Sequence, residues 1–243
     1  MKQVLKSGAI LLALSILLPG CALMGAGEPS KPLHFYTIGP VPEQTDTSGS
    51  DSSERDSNRP SLVVSPFNGS GIYTEAPIVW KNQQHLQRFK YNRWANPPAR
   101  MLQDVVVQLL RRETPGDGTW VHSATSDIEN SPYQIRGNLR NLYLKRNNET
   151  WEVVLNLDLM LIRQDSSQSL GPSISSEDIA GSWSLHATGQ ADAPETEQQT
   201  PSAMNTLLAD LNRNLSGRGG KIARSILERL EAVSRTGESE KND

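Results

Sequence analysis

Cysteine is almost absent from this chain: one residue, Cys21, among 243. A single thiol closes no intramolecular disulfide and excludes a cysteine-rich zinc or iron–sulfur site. Aromatic residues are scarce, at 5%. Neither sign of charge dominates, with 24 basic against 27 acidic side chains, so the basic face and high pI of a typical nucleic-acid binder are missing. No G-x-S-x-G elbow, phosphate-binding loop or dinucleotide fingerprint occurs. The four histidines, His34, His85, His122 and His186, have no second ligand at i, i+4 spacing, so the helical zinc motif is absent as well. His34 and His186 fall in strand patterns and read as surface or structural residues. No catalytic residue, metal site or cofactor is expected. Apolar content is 36%, low for a fully packed chain of this size, which points to loops or tails outside one core.

The one apolar run lies at the start. Lys2 and Lys6 precede a stretch from Ala9 to Leu18 that only Ser15 interrupts, and the run closes in Leu18-Pro19-Gly20-Cys21. It falls well short of the ~20 residues of a spanning helix but fits the apolar region of a signal peptide. Leu18 and Gly20 before Cys21 resemble a lipobox, the recognition site of lipoprotein signal peptidase, with Pro19 an unusual middle residue. That resemblance implies cleavage before Cys21, a diacylglyceryl group on its thiol and an acyl chain such as palmitate on its new amino group. Each buried CH₂ contributes ~0.8 kcal/mol, so several chains hold a protein firmly to a bilayer. Ala22, where enteric-type bacteria use aspartate for inner-membrane retention, favours the outer membrane. Loss of residues 1–20 leaves 223 residues and moves the formal charge from −3 to −5.

Residues 21–32 are small or polar and read as a tether. Leu33–Ile38 (LHFYTI) reads as a strand stopped by Gly39-Pro40, and Ser61–Phe67 (SLVVSPF) as another. The intervening 42–60 holds five serines, five acids and no apolar residue, so it is expected to be a solvated insertion. Ile78-Val79-Trp80 and Leu86–Tyr91 suggest short strands in an irregular excursion. Asn96-Pro97-Pro98 opens the clearest helix, with Asn96 as N-cap and Met101, Leu102, Val105, Val106, Leu109 and Leu110 on one face. Thr119–His122 suggests a short strand. Tyr133, Ile135 and Leu139 alternate with polar residues until the phase slips near Leu142, which predicts a β-bulge. Asn147-Asn148 suits a hairpin turn. Trp151, Val153, Leu155, Leu157, Leu159 and Leu161 make the best strand pattern. A polar loop is expected over 164–181, then a strand at Trp183–Thr188. One or two C-terminal helices are expected, with apolar stripes at Met204–Leu215 and Ile222–Leu230 interrupted by Gly217, Gly219 and Gly220. The fold class is therefore α/β (α+β). It is one domain over 33–234 with a mixed, largely antiparallel sheet, a mid-chain helix and C-terminal helices, followed by a disordered tail at 235–243.

The segment Tyr91–Leu110 (YNRWANPPARMLQDVVVQLL) carries a wider resemblance. Together with the lipobox, Phe35-Tyr36-Thr37-Ile38, Leu62-Val63-Val64-Ser65-Pro66-Phe67, and Leu215-Ser216 followed by Ile222-Ala223, it resembles the ABC-type transport auxiliary lipoproteins, the PqiC-like lipoproteins of MCE-type lipid transport systems. The polar stretches 42–60 and 164–181 depart from that pattern. The resemblance implies a mixed sheet flanked by helices and a non-catalytic role. It implies an outer-membrane lipoprotein facing the periplasm that docks a periplasmic MCE-domain protein, which an inner-membrane ABC transporter drives. Self-association is left open. The alternative from the residues alone is a lipoprotein scaffold or activator of cell-wall synthesis or secretion machinery; a lipid-anchored hydrolase finds no site. Trp80, Tyr91, Arg93 and Trp94 are the candidate partner contacts, because aromatic and arginine side chains are enriched at interface hot spots. The competing reading packs Tyr91 and Trp94 over the start of the helix.

Overall fold

A computed structural model describes residues 31–39, 61–73, 75–82, 85–114, 120–124, 131–147, 149–163, 178–196 and 199–239. The chain divides into Met1–Leu33 and His34–Asp243. The signal peptide with Leu18, Gly20 and Cys21, most of the tether and the 42–60 insertion lie outside the described residues.

The second unit is a mixed sheet with two helices on one face. Its strands are β1 (His34–Tyr36), β2 (Leu62–Val64), β3 (Asn68–Gly69), β4 (Pro77–Asn82), β5 (His85–Trp94), β6 (Val121–Ser123), β7 (Tyr133–Arg146), β8 (Thr150–Arg163) and β9 (Ile179–Asp192). The helices are α1 (Pro98–Glu113) and α2 (Thr200–Ser239). The long ladders β7–β8 and β8–β9 are antiparallel. The other edge of β7 carries β2, β3 and β4 in succession, each parallel to it. β5 then pairs antiparallel with β4, β1 parallel with β5, and β6 parallel with β2. The bulge expected near Leu142 falls between Leu139 and Asn141. It returns Leu142 and Leu144 to the inner face, where both are 1% exposed. Asn147 starts the β7–β8 hairpin and donates its backbone N–H to Thr150 O over 2.9 Å.

The apolar alternation of β8 buries Trp151, Val153, Leu155, Leu157, Leu159 and Leu161, and α1 buries all six residues of its expected face. Asn96 is not the N-cap of α1. Pro97 holds that position with no side-chain cap, and Pro98 fills the first turn, where its missing N–H has no helical acceptor to lose. Gln103 is fully buried on α1, and its amide nitrogen donates to Val64 O and Ala124 O, each over 2.9 Å. At the other end of α1 the Arg111 guanidinium donates to Val121 O over 3.0 and 2.8 Å. These bonds tie the middle and the C-terminal end of the helix to the short parallel strands beneath it.

Three expectations change. Residues 85–94 form one ten-residue strand rather than an irregular excursion. β9 begins at Ile179, inside the expected loop, and is 14 residues long. The C-terminal part, expected as one or two helices, is one helix of 40 residues, and it runs to Ser239, into the segment expected as a tail. Glycines at 217, 219 and 220 do not break it. A Cβ at Gly219 would lie 2.5 Å from Leu109 Cδ1, and one at Gly220 2.9 Å from Glu113 Oε1. Those two glycines are where α2 passes against the end of α1, and the tertiary contact outweighs their ~1 kcal/mol helix penalty. Around that crossing Arg112 donates to Ser216 O over 3.1 Å, and Arg224 pairs with Glu113 at 3.2 Å.

Gly189 on β9 is tighter still. A Cβ there would stand 2.4 Å from Leu207 O and 2.5 Å from Leu211 N, so the backbone of α2 rests on the sheet at this point. Gly189→Ala is expected to destabilise the domain by about 1–3 kcal/mol, because the obstructing atoms are backbone and have no other rotamer. Gly217 meets nothing within 4 Å. Gly217→Ala is expected to stabilise by about 0.5–1 kcal/mol. Urea unfolding followed by far-UV circular dichroism checks both: the first midpoint falls and the second rises.

Candidate partner interface

The four residues singled out from sequence lie on β4 and β5, but they do not share one role. Trp94 is 2% exposed and sits in the core. Its backbone N–H donates to Ala76 O over 2.7 Å. That burial fits the packing role and leaves Trp94 little surface to offer a partner. Trp80, Tyr91 and Arg93 are half-buried. Arg93 is partly committed to the fold, since its Nη1 donates to Phe89 O over 3.1 Å within its own strand.

That bond closes an irregularity that sequence did not reveal. Pro77 pairs with Arg93, yet two residues further along β4 Val79 pairs with Arg88, so the β5 segment between them bows out of the ladder. The bow forms an open groove of about 540 Å³ bordered by Arg88, Phe89, Lys90 and Arg93, with Glu75 and Pro77 on its other side. Glu75 pairs with Arg88 at 3.2 Å, and Lys90 Nζ lies 5.1 Å from the Tyr91 ring centroid. Beside the groove is a smaller cavity of about 110 Å³, lined by Trp80, Phe89, Leu144, Lys145, Arg146 and Trp151. Phe89 belongs to both. Its ring is 6.4 Å from that of Trp80 and 5.7 Å from that of Trp151, in tilted arrangements favourable for aromatic pairs. The Trp151 indole N–H is buried with no acceptor.

Phe89, Lys145, Arg146 and Trp151 were missed from sequence. Arg146 and Trp151 are direct cross-strand partners, a register that the Asn147-Asn148 turn signal does not give, since a two-residue turn there would set Arg146 opposite Glu149. Phe35, opposite Arg93 in the β1–β5 ladder, is 63% exposed and was also missed. On the inner side of β5, Tyr36 donates its hydroxyl to Asn92 Oδ1 over 3.0 Å, and burial pushes the Tyr36 hydroxyl pKa up. Among the described residues no three of histidine, cysteine, aspartate or glutamate gather as a metal site requires, and no helix is long and apolar enough to cross a membrane.

With this geometry in place, comparison with known proteins is decisive on one point. Residues 36–216 match the model of the ABC-type transport auxiliary lipoprotein component. The chain belongs to that family. The match starts at the last residue of β1 and ends at Ser216 in α2, so it takes in β2 to β9 and α1 and stops just before the glycines of the helix crossing. Among solved structures, a DUF330 protein from Xanthomonas campestris is 16% identical. It covers 84% of this chain and 99% of its own, with a TM-score of 0.55, which shows a shared fold. An uncharacterised protein aligns over 81% of this chain and 99% of its own at 12% identity and TM-score 0.48. A putative lipoprotein from Caulobacter crescentus aligns over 53% and 83% at 8% identity and TM-score 0.34. The chain matches none of the curated proteins. As a family member it is an accessory lipoprotein of an ABC-type transport system, a family not known for catalysis.

Removing Trp94 tests its assignment to the core. Trp94→Ala is expected to cost about 3–5 kcal/mol, the usual range for emptying a buried tryptophan site. A urea midpoint within error of the parent's would refute the packing role.

Proposed function

We propose that the mature chain is held by acyl groups on Cys21 to the periplasmic face of the outer membrane. There its folded domain docks a periplasmic MCE-domain protein that an inner-membrane ABC transporter drives. The role is mechanical and non-catalytic: one partner is kept at the membrane that receives or supplies lipid. The observation that carries this reading is the family match over 36–216 downstream of a lipobox and a small-residue tether. The exposed aromatic and cationic groups of β4 and β5 support a docking role, since such groups supply interface anchors.

Crosslinking in cells followed by purification of the full chain is expected to recover an MCE-domain protein together with the transporter's permease. Recovery of a cell-wall synthase with no MCE protein would overturn the assignment in favour of the scaffold alternative. The anchor is checked separately. Cys21→Ala is expected to move the protein from the membrane fraction, because the acyl chains supply the attachment. A Cys21→Ala chain that loses its signal peptide and still sediments with membranes defeats the lipid-anchor claim.

A further inference from the structure

The groove and the cavity, on β4, β5, β7 and the start of β8, share Phe89, and the charge along them runs against that of the chain. The walls carry five cations, Arg88, Lys90, Arg93, Lys145 and Arg146. Opposing them are two acids, Glu75 on Arg88 at 3.2 Å and Glu152 on Lys145 at 3.4 Å. Arg146 makes no ion pair among the described residues. The chain as a whole is at −3, so a local excess of cations is a feature of this surface and not of the composition.

Size decides what class of group the cavity admits. At about 110 Å³ it is somewhat smaller than the ~150 Å³ apolar cavity that takes a benzene molecule. It falls well below the roughly 300–1,000 Å³ of a pocket that encloses a whole small-molecule ligand. One side chain the size of leucine fits; a cofactor or a folded acyl chain does not. The three aromatic rings supply apolar walls, while Lys145 and Arg146, which also line the cavity, and Arg88, Lys90 and Arg93 along the open groove call for carboxylates.

We infer that this surface binds an acidic polypeptide segment of a partner protein, with one apolar side chain lodged between Trp80, Phe89 and Trp151. Glutamates or aspartates flanking that anchor lie against Arg146 and the groove cations. A pocket-held apolar anchor ringed by weaker polar contacts is the usual distribution of energy in an interface. The inference deepens the docking role proposed above and rests on it.

The test uses the mature, lipidated chain in nanodiscs of zwitterionic phosphatidylcholine. Three fluorescein-labelled synthetic peptides are titrated by anisotropy: a glutamate-rich peptide with one central leucine, the same peptide with alanine for leucine, and the same peptide with lysine for every glutamate. The leucine peptide is expected to bind, and more weakly as salt rises. The alanine peptide binds at least tenfold more weakly, the factor that follows from losing one buried leucine side chain. The lysine peptide does not bind. Arg146→Glu, an exposed position, weakens the leucine peptide about fivefold or more with an unchanged urea midpoint. Equal affinity for the leucine and alanine peptides removes the socket, and binding of the lysine peptide as tight as that of the glutamate peptide removes the charge argument. Either result, or no binding of the leucine peptide at all, overturns the inference. If crosslinking in cells still recovers an MCE protein after such a result, the docking reading stands and only this surface is lost.

Discussion

Everything in the domain hangs on how closely α2 can lie on the sheet. At Gly189 the helix backbone comes so near β9 that a single methyl group would strike Leu207 O. That approach places Leu207, Leu208, Leu211 and Leu215 over the inner faces of β8 and β9, where they are 5% exposed or less. It also fixes the line along which α2 continues, and that line brings Gly219 and Gly220 under the end of α1. α1 in turn is stitched through Gln103 and Arg111 to the ends of β2 and β6. Three small residues thus set the spacing of sheet, long helix and short helix. Interiors packed to crystal-like density leave no slack to absorb an added atom there.

The strands and helix most legible from sequence were those whose signal is local. β8 alternates along its length, and α1 repeats at helical spacing, so burial follows from pattern alone. The β7 bulge was visible because a bulge shifts the phase of that alternation. What stayed illegible depends on partners far away in the chain. Gly219 and Gly220 look like helix breakers until Leu109 and Glu113 are placed against them. β2 and β3 are three and two residues long, and they exist as strands because β7 offers them an edge.

The candidate surface shows the same division. Trp80, Tyr91 and Arg93 were found by residue type, which reports what a side chain is able to do but not where it points. Trp94 had the same type and the opposite fate, buried at 2% beside two half-exposed neighbours in alternation. The aromatic partner of Trp80 on the other side of Phe89 is Trp151, 71 positions away. Only the order of strands, β5 beside β4, β4 beside β7 and β7 beside β8, brings the three rings together.

β9 raises a problem that α2 solves. A 14-residue strand paired on one side exposes a row of backbone donors and acceptors, which is the usual template for aggregation. Here α2 runs antiparallel to β9, and its side chains take the place of a further strand. Asp210 accepts from Gln190 N over 3.1 Å, Asn214 donates to Thr188 O over 2.7 Å, and Arg218 donates to His186 O over 3.2 Å. Arg229 donates to Ala180 O over 2.7 Å further along. The match is metric. Four residues of helix advance roughly 6 Å and two residues of strand roughly 6.7 Å, so each helical turn meets the next outward-facing residue of β9. The lateral position needed for those bonds is the one that Gly189 permits. The same close approach therefore builds the core and shields the edge, which leaves the cationic, aromatic side of β4 and β5 as the part of the sheet's periphery suited to specific recognition.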